Sequence, residues 1–308
     1  MIMWDCESEL RKFAGAIEPS ATQKSDASRS HNYLRDLLDT GEFGNRILDS
    51  YLSGSYARGT AIAPIDDVDI IVVVDPEGWP RRFLNSHPEP DRILQSFARA
   101  IRYRYSQSSV RVQRRSVRLN LYHLNIDVVP AVEVDGDDHR IEIPDAESDD
   151  WIRSAPKMHT QIAADINQAQ GGRFKPLVKL LKSWNSALPE TANLKSFAVE
   201  TIAARLFKNV GLPRLQDGLR FFFDFLAEQA NQGDLYEWPQ NYGIQLNWWT
   251  HEVLDLAGTR SNVVAKLDSE RRRKFLGQAI RSRDALIDAE KARNPEYAVR
   301  HIRSALRM

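Results

Sequence analysis

One stretch constrains this chain more than any other: Asp66-Asp67-Val68-Asp69 running directly into Ile70-Ile71-Val72-Val73-Val74. The β-branched run predicts a buried strand over Asp67 to Val74. Side chains alternate along a strand, so Asp67 and Asp69 share one face and Asp66 takes the other. Two carboxylates side by side repel, and each raises its neighbour's cost of ionising. Placing them together makes physical sense if a cation sits between them. A donor set of oxygens alone favours Mg²⁺ or Mn²⁺ over zinc. A third carboxylate, Asp127, interrupts a second apolar strand between Ile126 and Val128. Three carboxylates on adjacent strands could hold two ions about 3.5–4 Å apart, the arrangement of two-metal phosphoryl transfer.

A short segment upstream adds an anion site. Leu52-Ser-Gly54-Ser55-Tyr-Ala-Arg58-Gly-Thr60 follows an apolar stretch, Ile47 to Leu52. Glycine lets a backbone approach a phosphate closely, and the N–H groups after it can cradle the anion. The Ser55 hydroxyl is a further donor, and Arg58 brings charge. Each feature alone has an ordinary explanation: Asp-x-Asp at a strand end is commonly a solvated edge, and Gly-Ser a turn. The combination carries the reading.

Composition excludes several alternatives. Lys plus Arg and Asp plus Glu each number 42 in 308 residues, so the formal charge is zero. That balance argues against a nucleic-acid packaging protein, which draws its affinity from excess basic residues. The one cysteine, Cys6, rules out an internal disulfide framework and a cysteine-rich zinc site. The seven histidines are scattered, without a close pair suited to a metal. Met1 to Leu10 does not read as a signal peptide, and no apolar run approaches the roughly 20 residues that span a bilayer. The expectation is a soluble, cytoplasmic protein with no membrane partner.

The pattern of elements changes midway. Helices are expected from Leu10 to Ile17, ending at Pro19, and from Ser25 to Leu38. Strands are expected over Val110 to Tyr122 and Leu124 to Val129, the latter stopped by Pro130, with a small edge strand at Arg140 to Ile143. From about Pro156 only helical periodicity remains: Lys157–Ala169, Phe174–Ala187, Lys195–Asn209, Leu212–Ala230 and Ser269–Ala292. Gly171-Gly172, Pro189, Gly211, Gly233 and Pro239 separate them. This predicts an α+β lobe over 1–155 and a helical lobe over 156–308, packed together around a cleft.

Gly54, Ser55, Asp67, Asp69 and Asp127 together resemble the signature of the DNA polymerase β-like nucleotidyltransferases. More narrowly, the chain resembles the bacterial cGAS/DncV-like nucleotidyltransferases, or CD-NTases, relatives of animal cyclic GMP–AMP synthase and oligoadenylate synthetase. Gly54 to Thr60 is close to that family's extended Gly-Ser loop. Leu177 to Trp184 is similar to its helix with a triphosphate-contacting lysine, and Leu194 to Glu200 to the start of the next. Asp255 to Val264 resembles a late family segment. The resemblance covers about residues 30 to 290.

The resemblance implies a polymerase β-like catalytic lobe with a mixed sheet, packed on an oligoadenylate synthetase-like helical lobe. It implies that Lys182 and Ser196 contact the triphosphate and that Phe197 stacks on a base. Asp67, Asp69 and Asp127 would hold two Mg²⁺ or Mn²⁺ ions. NTPs, ATP among them, would be joined into a cyclic or short linear second messenger that activates a separate effector in antiviral (CBASS) signalling. Nucleic acid is not expected as the main substrate. The zinc-binding thumb of the animal enzyme cannot be built with one cysteine. Two other readings compete: a polymer-end enzyme such as a CCA-adding enzyme on tRNA, and a catalytically silent nucleotide-binding module.

Several of these residues also have ordinary readings. Lys179 and Lys182 read as solvated helix lysines, Leu177, Leu180, Leu181, Trp184 and Phe197 as core, and Ser196 as a helix cap. Trp238 to Trp249 reads as packing. Arg111, Arg114, Arg115 and Arg118 read as a solvated strand face, or as a receiver of an anionic ligand.

Overall fold

The computed structural model describes residues 6–41, 43–79, 87–134, 136–231 and 252–308. The breaks at Gly233 and Pro239 and the tryptophan-rich stretch Trp238 to Trp249 lie outside the described residues. The chain divides into two compact units, one of Pro19–Gln161 and one of Met1–Glu18 with Ile162–Met308.

In chain order the elements of the first unit are α2 (Ala21–Thr40), β1 (Ile47–Ser53), α3 (Gly54–Arg58), β2 (Asp67–Val74), α4 (Pro90–Arg104), β3 (Ser109–Val112), β4 (Val117–Asn120), β5 (Asn125–Val134), β6 (Asp137–Asp145) and β7 (Asp150–Ser154), with α1 (Glu7–Ala16) preceding them in the other unit. The sheet runs β1-β2-β5-β4-β3, and β6 extends from β5 to β7. Among the described residues, β2 and β5 pair in parallel and the other strand pairings are antiparallel. A parallel neighbour needs a crossover, and α4, β3 and β4 occupy the chain between these two strands.

One face of the sheet is largely apolar, with Ser50 of β1 as a buried polar exception that accepts from Arg35 of α2. Val68, Ile70, Val72 and Val74 of β2, with Ile126 and Val128 of β5, share a core with Ala27, Leu34 and Leu38 of α2. Ile93, Leu94, Phe97, Ala98 and Ile101 of α4 join the same core, spaced three and four apart as a helix stripe requires. Phe97 stacks on Phe43 and Trp79. The opposite face carries Ile71, Val73, Val129 and Ala131, buried in a smaller cluster. Alternation puts Asp67, Asp69 and Asp127 on this second face, away from α2 and α4.

Three expectations are corrected here. The stretch Val110 to Tyr122 is a hairpin, β3 and β4, not one strand. The turn lacks glycine or proline and is closed by Gln113 N–H donating to the Ser116 carbonyl (2.8 Å) and Ser116 Oγ donating to Gln113 Oε1 (2.8 Å). Pro130 does not stop β5. It falls where the strand changes partner, between the β4 pairing that ends at Val128 and the β6 pairing that begins at Val132, a place where proline is tolerated. The first helix, expected with the catalytic lobe, packs through Leu10 and Ala14 into the core of the other unit.

That second unit contains α1, most of α5 (Pro156–Ala169), α6 (Phe174–Ser186), α7 (Ser196–Phe207), α8 (Leu215–Asn231), α9 (Ser269–Lys291) and α10 (Pro295–Leu306). Trp184 is fully buried at its centre, edge-on to Phe223 and Phe275. Its indole N–H donates to Ser282 Oγ (2.9 Å), which donates onward to the Ala305 carbonyl (2.8 Å). A buried indole N–H needs such a partner. Leu177, Leu180 and Leu181 are buried as expected. Lys179 is not solvated: it is buried and pairs with Glu18.

Candidate active site

The register of the sheet sets a row of polar groups across four strands. Ser53 of β1 lies opposite Asp69 of β2, Asp69 lies opposite Asp127 of β5, and Asp127 lies opposite Arg118 of β4. Two residues along, on the same face, Asp67 lies opposite Asn125. Asn125 ties the edge together: its backbone N–H (2.9 Å) and side-chain amide (3.1 Å) both donate to the Asp66 carbonyl. The parallel β2–β5 pairing thus brings the third carboxylate beside the first two.

Gly54 begins α3 with φ +69°. That conformation alone favours glycine. The neighbourhood demands it: a Cβ built on Gly54 would stand 1.8 Å from Asp69 Oδ2. Sequence reasoning assigned this glycine to a phosphate; the structure shows that it also makes room for a carboxylate. The expected loop is here a single helical turn, closed at Gly59 in the left-handed conformation (φ 69°). The Thr60 N–H reaches back to the Ser55 carbonyl (2.9 Å), and Arg58 is buried at the end of the turn.

The electrostatics are those of crowded like charges. Burial pushes the Asp69 carboxyl up to about 6, and the Asp67 and Asp127 charges add to the rise. Arg58 and Arg118 oppose it only in part. Arg118 is a group whose role the sequence left open. Its Nε donates to Asp127 Oδ1 (2.9 Å) and its terminal nitrogen to Oδ2, a two-pronged pair. Arg114 and Arg115, grouped with it in the sequence, do something else: both clamp the buried Asp145.

Among the described residues, no three carboxylate, imidazole or thiolate groups are arranged to hold a metal ion. The donor set nevertheless suits a divalent cation. It is all oxygen, its carboxylates stand in register on neighbouring strands, and burial together with the Asp67 and Asp127 charges raises the Asp69 carboxyl.

Lys182, Ser196 and Phe197 belong to the other unit. Lys182 lies buried on α6. Ser196 is the first residue of α7 and exposed, and Phe197 beside it is half-buried. Ser196 is not the cap expected from the sequence; Lys195 occupies that position, with no side-chain hydrogen bond to the helix. In the late segment, Asn262 Oδ1 accepts from the N–H groups of Val253 (3.1 Å) and Val264 (3.0 Å), so this side chain shapes a turn.

A mixed sheet with Asp-x-Asp on one strand, a third Asp on its parallel neighbour and a Gly-Ser helix start defines a polymerase β-like nucleotidyltransferase fold. The comparisons with known proteins narrow the class. Residues 5–167 match the Second Messenger Oligonucleotide or Dinucleotide Synthetase domain, and the chain belongs to that family. A cyclic AMP-AMP-AMP synthase of Acinetobacter sp. is 35% identical over 199 residues, covering 61% of this chain and 55% of that protein. A cyclic UMP-AMP synthase of Rhodothermus marinus is 25% identical over 228 residues, covering 66% of this chain and 76% of the other. The E. coli MS115-1 CdnC structure, solved as a CdnC:HORMA-deltaN complex, superposes with a TM-score of 0.75 at 21% identity over 97% of this chain and 96% of that one. Among the described residues no helix is long and apolar enough to cross a membrane.

Proposed function

We propose that this chain is a metal-dependent nucleotidyltransferase that joins NTPs into a cyclic oligonucleotide second messenger. The observation that carries the reading is the row Ser53–Asp69–Asp127, with Gly54 against the Asp69 carboxylate, in a chain of the synthetase family. ATP is among the substrates, as the similarity to the cyclic AMP-AMP-AMP synthase suggests. The product would act on a separate effector in a cytoplasmic CBASS-type defence. The HORMA partner of the E. coli neighbour makes a HORMA-type protein a natural first candidate for a regulator.

The division of labour follows the two units, Pro19–Gln161 for chemistry and Met1–Glu18 with Ile162–Met308 for holding nucleotide. Asp67, Asp69 and Asp127 would hold two Mg²⁺ or Mn²⁺ ions. When bound, such ions neutralise triphosphate charge and lower the pKa of the attacking hydroxyl. The N–H groups at Gly54 and Ser55, the Ser55 hydroxyl and Arg58 take the phosphates. Lys182 and Ser196 hold the triphosphate from the helical lobe, and Phe197 stacks on a base. Asp127 orients the acceptor hydroxyl and takes its proton as the oxygen attacks the α-phosphorus and pyrophosphate leaves.

The test is direct. The purified chain is incubated with all four NTPs and Mg²⁺ or Mn²⁺, and phosphatase-treated products go to mass spectrometry. A phosphatase-resistant oligonucleotide, absent from a D67N/D69N control, is expected. A product that persists in the control would overturn the assignment of the site. A product formed only when tRNA is supplied would replace the proposed reaction with a polymer-end one.

A further inference from the structure

The Arg118–Asp127 pair stands where a metal ligand is needed. Both carboxylate oxygens of Asp127 are engaged by one guanidinium, and Asp127 is nearly sealed from solvent while Arg118 is about one-third exposed. The same guanidinium feels Asp67 and Asp69 as well. Arg118 therefore supplies to the carboxylates some of the charge that a cation would supply.

Resting on the assignment of Asp67, Asp69 and Asp127 as metal ligands, we propose that Arg118 is a built-in counter-ion that divalent cation must displace from Asp127. The displacement forms no covalent bond. The guanidinium leaves the two oxygens, and the cation takes the charge they present. Arg118 stabilises the metal-free protein and weakens its grip on free metal for the same reason. It is a positioning residue, acting through Asp127. The exchange also favours cation that arrives already bound to nucleotide, since the triphosphate brings negative charge toward the released guanidinium.

An ordinary structural role makes the opposite prediction. If Arg118 only oriented Asp127 for metal, removing it would weaken metal binding. The sign of the change in affinity therefore separates the two.

The experiment titrates Mn²⁺ into the full chain without nucleotide, following free Mn²⁺ by electron paramagnetic resonance, and records Tm with and without Mn²⁺. In R118Q, Mn²⁺ is expected to bind about fivefold tighter, the scale of a partly exposed ion pair. The metal-free Tm falls, and the rise in Tm on adding Mn²⁺ exceeds that of the wild type. R118K keeps the charge without the two-pronged fit, so it lies between the two proteins in both readouts. It carries the test if R118Q does not fold. Mn²⁺ affinity equal to or weaker than wild type in the folded variant, with an unchanged Tm increment, overturns the proposal. The ligand assignment fails separately, and the proposal with it, if D67N/D69N retains the wild-type Mn²⁺ affinity.

Discussion

Asp69 and Asp145 lie in the same unit, and their carboxyls are displaced in opposite directions. Asp145 is almost completely buried. Burial alone would raise its carboxyl, but Arg114 and Arg115 donate to it from two sides and the Ser148 N–H adds a further bond, holding it far below the usual carboxylate range. Asp69 is pushed up to about 6 by burial and by two like charges, against two arginines that compensate only in part. Asp145 fastens the β3–β4 turn to the end of β6. Asp69 is the other case, kept short of positive charge. Satisfied charge strengthens a fold, whereas the unsatisfied charge of a binding site weakens it until the ligand arrives.

The largest expected effect comes from removing the uncompensated charge. In D67N/D69N, nucleotide joining should fall by roughly a thousandfold or more, if two-metal chemistry is lost. Circular dichroism should show the fold intact. A variant that unfolds instead would place these carboxylates among the structural ones. G54A attacks the same group indirectly. The new methyl must displace the Asp69 carboxylate and strain a positive-φ backbone, and a displacement of about 1 Å in a catalytic group costs on the order of a hundredfold in rate. Steady-state kinetics normalised to folded protein measures it.

The matching substitution at the other carboxylate should act on stability instead. D145N removes the charge that two arginines share, at a cost of about 2 kcal/mol in urea unfolding, with activity per folded molecule retained. A fall in specific activity comparable to that of G54A would tie the β3–β4 turn to catalysis and erase the distinction.

The pH dependence is the sharpest test. The folded pKa of Asp69 lies above its unfolded value, so its ionisation costs stability as pH rises through about 6. D69N should stabilise the metal-free protein by about 3 kcal/mol at pH 8, and by well under 1 kcal/mol at about pH 4. The folded pKa of Asp145 lies below its unfolded value, so its contribution is complete above about pH 4 and is lost in more acid solution. The deficit of D145N should therefore shrink as the pH falls below about 4. Urea unfolding across this range tests both, and parallel profiles would refute the comparison.

Much of this was legible in the residues. Period-two alternation placed Asp67 and Asp69 on one face, and the lone carboxylate in an apolar strand marked Asp127. The β3–β4 turn was not legible, because Arg114 and Arg115 are held by Asp145, remote in sequence. Arg118 was hidden for a similar reason: its partner is set by cross-strand register, which single-strand patterns do not carry. Lys179 looked solvated because nothing local announces Glu18. Two helices went unanticipated although their signals were present. Pro90 opens α4, followed by a regular apolar stripe. Asn294 and Pro295 open α10, with the Asn294 side chain accepting from Tyr297 N–H (2.9 Å).

The placement of α1 has a consequence for the order in which the molecule is made. The unit Pro19–Gln161 is one continuous piece of chain, whereas the helical unit joins α1 to segments from Ile162 onward. On the ribosome the carboxylate-bearing sheet can close while α1 still waits for its neighbours. Leu10 and Ala14 find their core only after α6 and α8 have emerged. The lysine and serine proposed to hold the triphosphate come from that later piece. A nascent chain thus completes the sheet that carries Asp67, Asp69 and Asp127 before the unit proposed to grip nucleotide, so the proposed reaction waits for the later segments.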